Sequence, residues 1–134
     1  MMTNTIQKED FHEALTSLYY LMICADKYID TMELEMGRIM RAIEKIDNKQ
    51  FFERIDDYSN QDNRIVYDLC IHTLEQCDRE EQVRCLAWMK LIAFSDGSMA
   101  SREWDLYQNI CLNELNLELN EVLEEQKKIK ATIS

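Results

Sequence analysis

The chain has 134 residues, 15 of them Lys or Arg and 26 Asp or Glu, for a formal net charge of -11; that length suits one domain, 1–134, able to bury roughly two thirds of its unfolded surface. With 46% hydrophobic and 31% charged residues the composition stands apart from that of disordered chains, while zero Pro and only Gly37 and Gly97 leave too little turn chemistry for β-sandwiches or barrels. So acidic a chain, with no basic stripe, also argues against nucleic acid as a partner.

Apolar residues recurring at i, i+3, i+4 and i+7 predict an all-α fold of about seven helices. The first, about residues 8–25, carries Phe11, Leu15, Leu18, Met22 and Ala25 on one face. The second, about 31–45, offers Leu34, Met36, Ile39, Met40 and Ile43. The third, about 48–58, brings Phe51, Phe52 and Ile55 and ends in the polar turn Ser59 to Asn63. The fourth, about 62–77, repeats Val66, Cys70, Thr73 and Cys77 beside Ile65, Leu69 and His72; the fifth, about 79–94, runs through Val83, Leu86, Ala87, Leu91 and Phe94. The sixth, about 101–115, shows Trp104, Tyr107, Ile110, Cys111 and Leu115. The seventh, about 118–131, places Glu118 and Glu121 early and Lys127, Lys128 and Lys130 late, as the helix macrodipole favours.

The opening MMTNTIQKEDF lacks the basic and apolar regions of a secretory signal. The longest apolar run, Leu18 to Ala25, falls far short of the roughly 20 residues that span a bilayer. Five scattered cysteines, Cys24, Cys70, Cys77, Cys85 and Cys111, form no CxxC pair and no zinc-site spacing. These features predict a cytoplasmic protein that is not transmembrane, with its thiols packed in the core.

Sliding the chain on itself by 70 residues aligns LMICADKYIDTMELEMGRIM (21–40) with LIAFSDGSMASREWDLYQNI (91–110). Leu21, Asp26 and Glu33 meet Leu91, Asp96 and Glu103, and the shared element is D-x-x-[IM]-x-[ST]-x-E. It falls both times between an apolar helix and an amphipathic one, which predicts two helix-loop-helix repeat units, about 8–46 and 78–116, in a pseudo-two-fold bundle. Within each loop, Ile29 or Met99 is expected to tuck between the helices and Thr31 or Ser101 to N-cap the second one. Glu33 or Glu103 meets the unpaired amides of its first turn. Gly97 suits the left-handed residue past a helix end.

At these residues the chain resembles the TerB-like family, named for the tellurite-resistance protein TerB and found also at the N-terminus of the DjlA co-chaperone. ADKYIDTME (25–33) and SDGSMASRE (95–103) match its doubled motif, A-D-G-x-[IV]-x-x-x-E, with Lys27 in place of the usual Gly and Ser95 in place of Ala. The resemblance implies an all-helical, pseudo-two-fold domain that serves chemical-stress responses and membrane-linked assemblies without a catalytic reaction. Tellurite resistance itself is not implied for a lone domain.

The residues admit three functions. D-x-x-I-x-x-x-E mimics the second half of an EF-hand loop, but the first half supplies Met22 and Cys24, or Ile92 and Phe94, where oxygen ligands are needed. A shallow Ca or Mg site using Asp26, Asp30 and Glu33, echoed by Asp96 and Glu103, is the alternative to structural capping. An enzyme of unknown type ranks below it: His12 and His72 are the only histidines, and no phosphate loop, G-x-S-x-G or H-E-x-x-H occurs. Eight Met and the tyrosines Tyr19, Tyr20, Tyr28 and Tyr58 offer either core filling or a partner surface. The expectation is therefore a non-catalytic interaction module without a cofactor, its partner another protein or, as a homodimer, a second copy.

Overall fold

A computed structural model describes residues 2–24, 30–95, 97 and 99–133, with side chains from residue 9 onward. The described residues form seven helices and no strand. They are α1 (Met2–Tyr19, continued by a π-helical segment Tyr20–Cys24), α2 (Thr31–Glu44), α3 (Asn48–Ser59) and α4 (Asn63–Gln76), followed by α5 (Arg79–Ala93), α6 (Ser101–Gln108, continued by a π-helical segment Asn109–Glu114) and α7 (Leu119–Ile133). The all-α class expected from periodicity is what the chain adopts. The single helices expected over 8–25 and 101–115 each close in π-helical turns instead.

Two helices carry the core. Every residue from Ala14 to Ile23 is buried, as are Cys85 to Met89 and Leu91 to Ala93 in α5, and helices enclosed on all faces belong at the centre. α1 packs chiefly on α4 and also on α5 and α3, while α5 packs chiefly on α7 and also on α1 and α2. The buried hydroxyls of Thr16 and Ser17 in α1 are paired. Thr16 donates to the His12 carbonyl at 2.7 Å and Ser17 to that of Glu13 at 2.9 Å. Lys90, which interrupts the buried run of α5, sets its ammonium 6.0 and 5.8 Å from the ring centroids of Trp104 and Tyr107 in α6, an attraction the ring quadrupoles supply. Arg102 of α6 donates to the Leu21 carbonyl at 3.2 Å, satisfying an acceptor that a helix end leaves without an intrahelical partner.

The seat of α2 depends on Gly37. A Cβ there would lie 2.8 Å from Cε1 and from the hydroxyl of Tyr19, so only glycine lets the tyrosine ring rest on the α2 backbone. Tyr19 is buried, its ring centroid stands 5.6 Å from that of Phe51, and its hydroxyl donates to the Glu33 carbonyl at 3.4 Å. In an open mid-helix site Gly37→Ala would gain about 1 kcal/mol. Here overpacking against a trapped ring outweighs that gain, and denaturant unfolding should show a net loss of about 1–2 kcal/mol. The same substitution in a Tyr19→Leu background should lose little or nothing, because the clash is with the ring.

Cys70, Cys77, Cys85 and Cys111 are buried and Cys24 is half-buried, all as free thiols, in line with the packing role expected of them. Burial pushes Cys70 and Cys77 from 9.0 up to about 12 and raises Cys85 as well; burial likewise raises Tyr19, Tyr58 and Tyr107. A folded-state pKa above the unfolded one stabilises below the unfolded value and is lost as pH rises towards the folded one. The unfolding free energy from urea titration should therefore begin to fall near pH 9, by about 1.4 kcal/mol per buried thiol for each pH unit above it. A flat profile to pH 11 would contradict the burial.

Candidate functional site

The repeated loop motif was the sequence's strongest site signal, and the structure shows how its second half is used. Asp30, not Thr31, is the N-cap of α2: its Oδ1 accepts from the Glu33 amide at 2.7 Å, and its own amide donates to Glu33 Oε1 at 3.2 Å. This reciprocal box requires cap and carboxylate to lie three residues apart. Asp30 and Glu33 have that spacing and Thr31 does not, so Thr31 becomes the exposed first residue of α2. In the second loop the cap position falls on Ala100 rather than Ser101, and no side chain caps the helix. Half of the exchange survives there, the Ala100 amide donating to Glu103 Oε1 at 3.1 Å. Glu33 and Glu103 are 7% and 6% exposed, buried carboxylates bound back to their own helix starts.

Asp26, Ile29 and Asp96 lie outside the described residues, as do Lys27 and Tyr28. Of the proposed cation ligands that are described, Asp30, Glu33 and Glu103 all accept backbone amides. Among the described residues no group of three His, Cys, Asp or Glu is arranged to hold a metal ion. Gly97 takes φ +97°, and its amide donates to the Phe94 carbonyl at 2.9 Å, the left-handed conformation expected of it. Met99 is half-buried against the core. His72, read as lying within an apolar helix, is exposed, and His12 donates from Nε2 to the Glu44 carbonyl at 2.9 Å. Tyr19, Tyr20 and Tyr58 are core residues, so they supply no partner surface.

The apolar surface lies elsewhere. Leu34, Phe52 and Phe94, which periodicity assigns to inner faces, are exposed, and so is Met32; Met32, Leu34 and Phe52 stand at 55%, 52% and 56%. They flank α2 on both sides. A groove of about 610 Å3 runs between α2 and α3, walled by Leu34, Phe52 and Ile55 and floored by Tyr19 and Phe51. A second, of about 550 Å3, runs between α2, α5 and α7, walled by Met32, Met36, Phe94 and Ile133. Glu35 borders both. Beside the second groove, Ser95 Oγ and Gln126 Oε1 are buried without a hydrogen-bond partner among the described residues.

Arg41 borders the first groove. Its guanidinium carbon lies 4.6 Å from the Phe51 ring centroid and 5.0 Å from that of Phe52, and its Nε donates to Asn48 Oδ1 at 3.0 Å. Burial lowers its pKa from the ordinary value. Arg38, by contrast, forms a two-bond ion pair with Glu35 at 2.6 and 3.0 Å, using the carboxylate that borders the groove.

No protein-family model, curated protein or solved structure matches the chain. Among the described residues, no helix is long and apolar enough to cross a membrane.

Asp30→Ala should cost about 0.5–2 kcal/mol in denaturant unfolding, and Thr31→Ala a few tenths at most; equal losses would restore Thr31 as the cap. With Asp30 and Glu33 committed to amides, calcium chloride should raise the melting temperature no more than sodium chloride of equal ionic strength. A calcium-specific rise that disappears in Asp30→Ala would instead identify the loop as a cation site.

Proposed function

We propose that the chain is a non-catalytic protein-interaction module of TerB-like type, docking a partner protein on the α2 face. The observation that carries this reading is the exposure of Met32, Leu34 and Phe52 around the two grooves that flank α2. Large apolar side chains gathered about grooves mark interaction surfaces, whereas singly scattered ones need no explanation. Two of the three, Leu34 and Phe52, lie at positions where the helical pattern calls for burial, and the fold leaves them outside.

The pseudo-two-fold relation between units 8–46 and 78–116 belongs to the same proposal. Its support is the matching of Glu33 and Glu103, each a buried carboxylate at the third residue of its helix that accepts the amide at the cap position. A cytoplasmic setting agrees with free thiols at all five cysteines. An assembly that answers chemical stress is the setting the family resemblance implies.

The test places a photo-crosslinking residue at Leu34 and, as a control, at Ile65, which is at least as exposed, at 56%, on α4. Illumination in cells should give a discrete heterologous adduct from Leu34, none from Ile65, and none from Leu34 once Phe52→Ser is added. Adducts of equal yield from both positions, or an adduct only with a second copy of the chain, would sink the reading.

A further inference from the structure

Resting on the docking reading above, we propose that the groove between α2 and α3 receives a segment of another protein in which one acidic side chain lies among large apolar ones, its carboxylate taken by Arg41. Arg41, Arg54 and Arg84 are half-buried, and the contrast between Arg84 and Arg41, the one that borders the groove, points there. Arg84 is met by two carboxylates, Glu44 at 2.6 Å and Glu125 at 2.7 Å. Arg41 has a single side-chain hydrogen bond, to Asn48, and no carboxylate pairs with it among the described residues. A guanidinium carries five N–H donors in a planar fork, and among the described residues only Nε has an acceptor. Phe51 and Phe52 lie against the guanidinium, an arrangement that desolvates the cation and strengthens any carboxylate it meets.

Local charge agrees. Between residues 38 and 49 stand Arg38, Arg41, Lys45 and Lys49 against Glu44 and Asp47. Both acids are engaged: Glu44 accepts from Arg84 and Trp88, and Asp47 caps α3 by accepting from the Gln50 amide at 2.9 Å. On a chain of net charge -11, this strip is the place where an acidic segment meets cations whose neighbouring acids are already paired. Leu34, Phe52 and Ile55 offer apolar walls above the rigid floor of Tyr19 and Phe51, which suits an amphipathic helix laid into a groove.

The experiment uses the full chain and three fluorescein-labelled synthetic amphipathic peptides of about four helical turns. They share one Leu/Phe face and differ only in the flanking residue, Glu, Gln or Lys. In fluorescence anisotropy the Glu peptide should bind at least about 10-fold tighter than the Gln peptide, the increment a charge-assisted hydrogen bond provides, and the Lys peptide should bind weakest. Arg41→Gln should erase the Glu-over-Gln preference. Leu34→Glu, at an exposed position that leaves the core untouched, should weaken the Glu peptide more than the Gln peptide. Equal binding of the Glu and Gln peptides, tighter binding of the Lys peptide, or a preference that survives Arg41→Gln would overturn the proposal. Saturable binding of dodecanoate with no peptide binding would make the occupant a fatty acid and overturn it too. If the peptides show no preference while Phe52→Ser still abolishes the Leu34 adduct in cells, the docking reading stands and the carboxylate assignment falls; if the adduct also persists, both fall.

Discussion

One glutamate at the end of α2 holds the bundle in register. Glu44 Oε2 accepts from Arg84 Nε at 2.6 Å and from the buried Trp88 indole at 2.6 Å, both on α5. Its carbonyl accepts from His12 on α1 at 2.9 Å, and Arg84 Nη1 continues the network to Glu125 on α7 at 2.7 Å. Three helices thus meet at Glu44, and Arg84 extends the network to a fourth. Burial alone would lower the Arg84 pKa, but the Glu125 and Glu44 carboxylates outweigh it and hold the guanidinium above its ordinary value. A network of this kind adds little net stability over an apolar packing, yet removing one member leaves an uncompensated buried charge at about 3–5 kcal/mol. Its consequence is positional. With the C-terminal end of α2 fixed on α5 and its middle seated on Tyr19 through Gly37, the N-terminal half of α2 stands between the two grooves.

The acidity of the chain has a structural outlet that does not require a ligand. Four successive helices open on aspartate: Asp30 for α2, Asp47 for α3, Asp62 for α4 and Asp78 for α5, each accepting an amide of its own first turn. Asp30 and Asp78 complete reciprocal boxes with Glu33 and Glu81. Carboxylates at helix starts meet the positive end of the macrodipole as well as unpaired amides. In a chain without proline and with two glycines, these caps are the punctuation that separates one helix from the next, and they draw on the acidic surplus to do it.

Much of this was legible from letters alone, and the failures have a common cause. Helix number and most boundaries follow from the 3.6-residue period, and the two apolar stretches Leu18–Ala25 and Leu86–Phe94 fall largely on the two enclosed helices. Periodicity, however, reports that a residue is apolar on a helical face without reporting which face the neighbours cover. Leu34, Phe52 and Phe94 fall on the apolar face of their helices and stand exposed, while Glu33, which the pattern treats as polar, is buried. The rotation of α2 is decided by Gly37 and Tyr19, an approach between residues 18 apart that no local period encodes. The cap at Thr31 was displaced by one because Thr and Asp are both good N-caps; the glutamate three residues beyond Asp30 was the signal that distinguishes them. Lys45 takes φ +58° at the end of α2 and Asn116 φ +54° past the π-helical segment of α6, left-handed positions that composition could not reveal without glycine to mark them.

In the proposed docking mode, stability and recognition would be arranged in layers at the α2–α3 groove. Tyr19 and Phe51 form its floor and belong to the core, so they are fixed by the packing that closes the fold. Leu34 and Phe52, above them, are exposed and take little part in that core. Arg41 stands between the layers, anchored by Asn48 and held against both phenylalanines. A rigid floor lowers the ordering cost that association ordinarily carries, and exposed walls can change with small effect on folding. The residues that would choose a partner are thus separated energetically from those that keep the bundle folded, and such a separation lets the contact surface of a small helical domain diverge while its scaffold is kept.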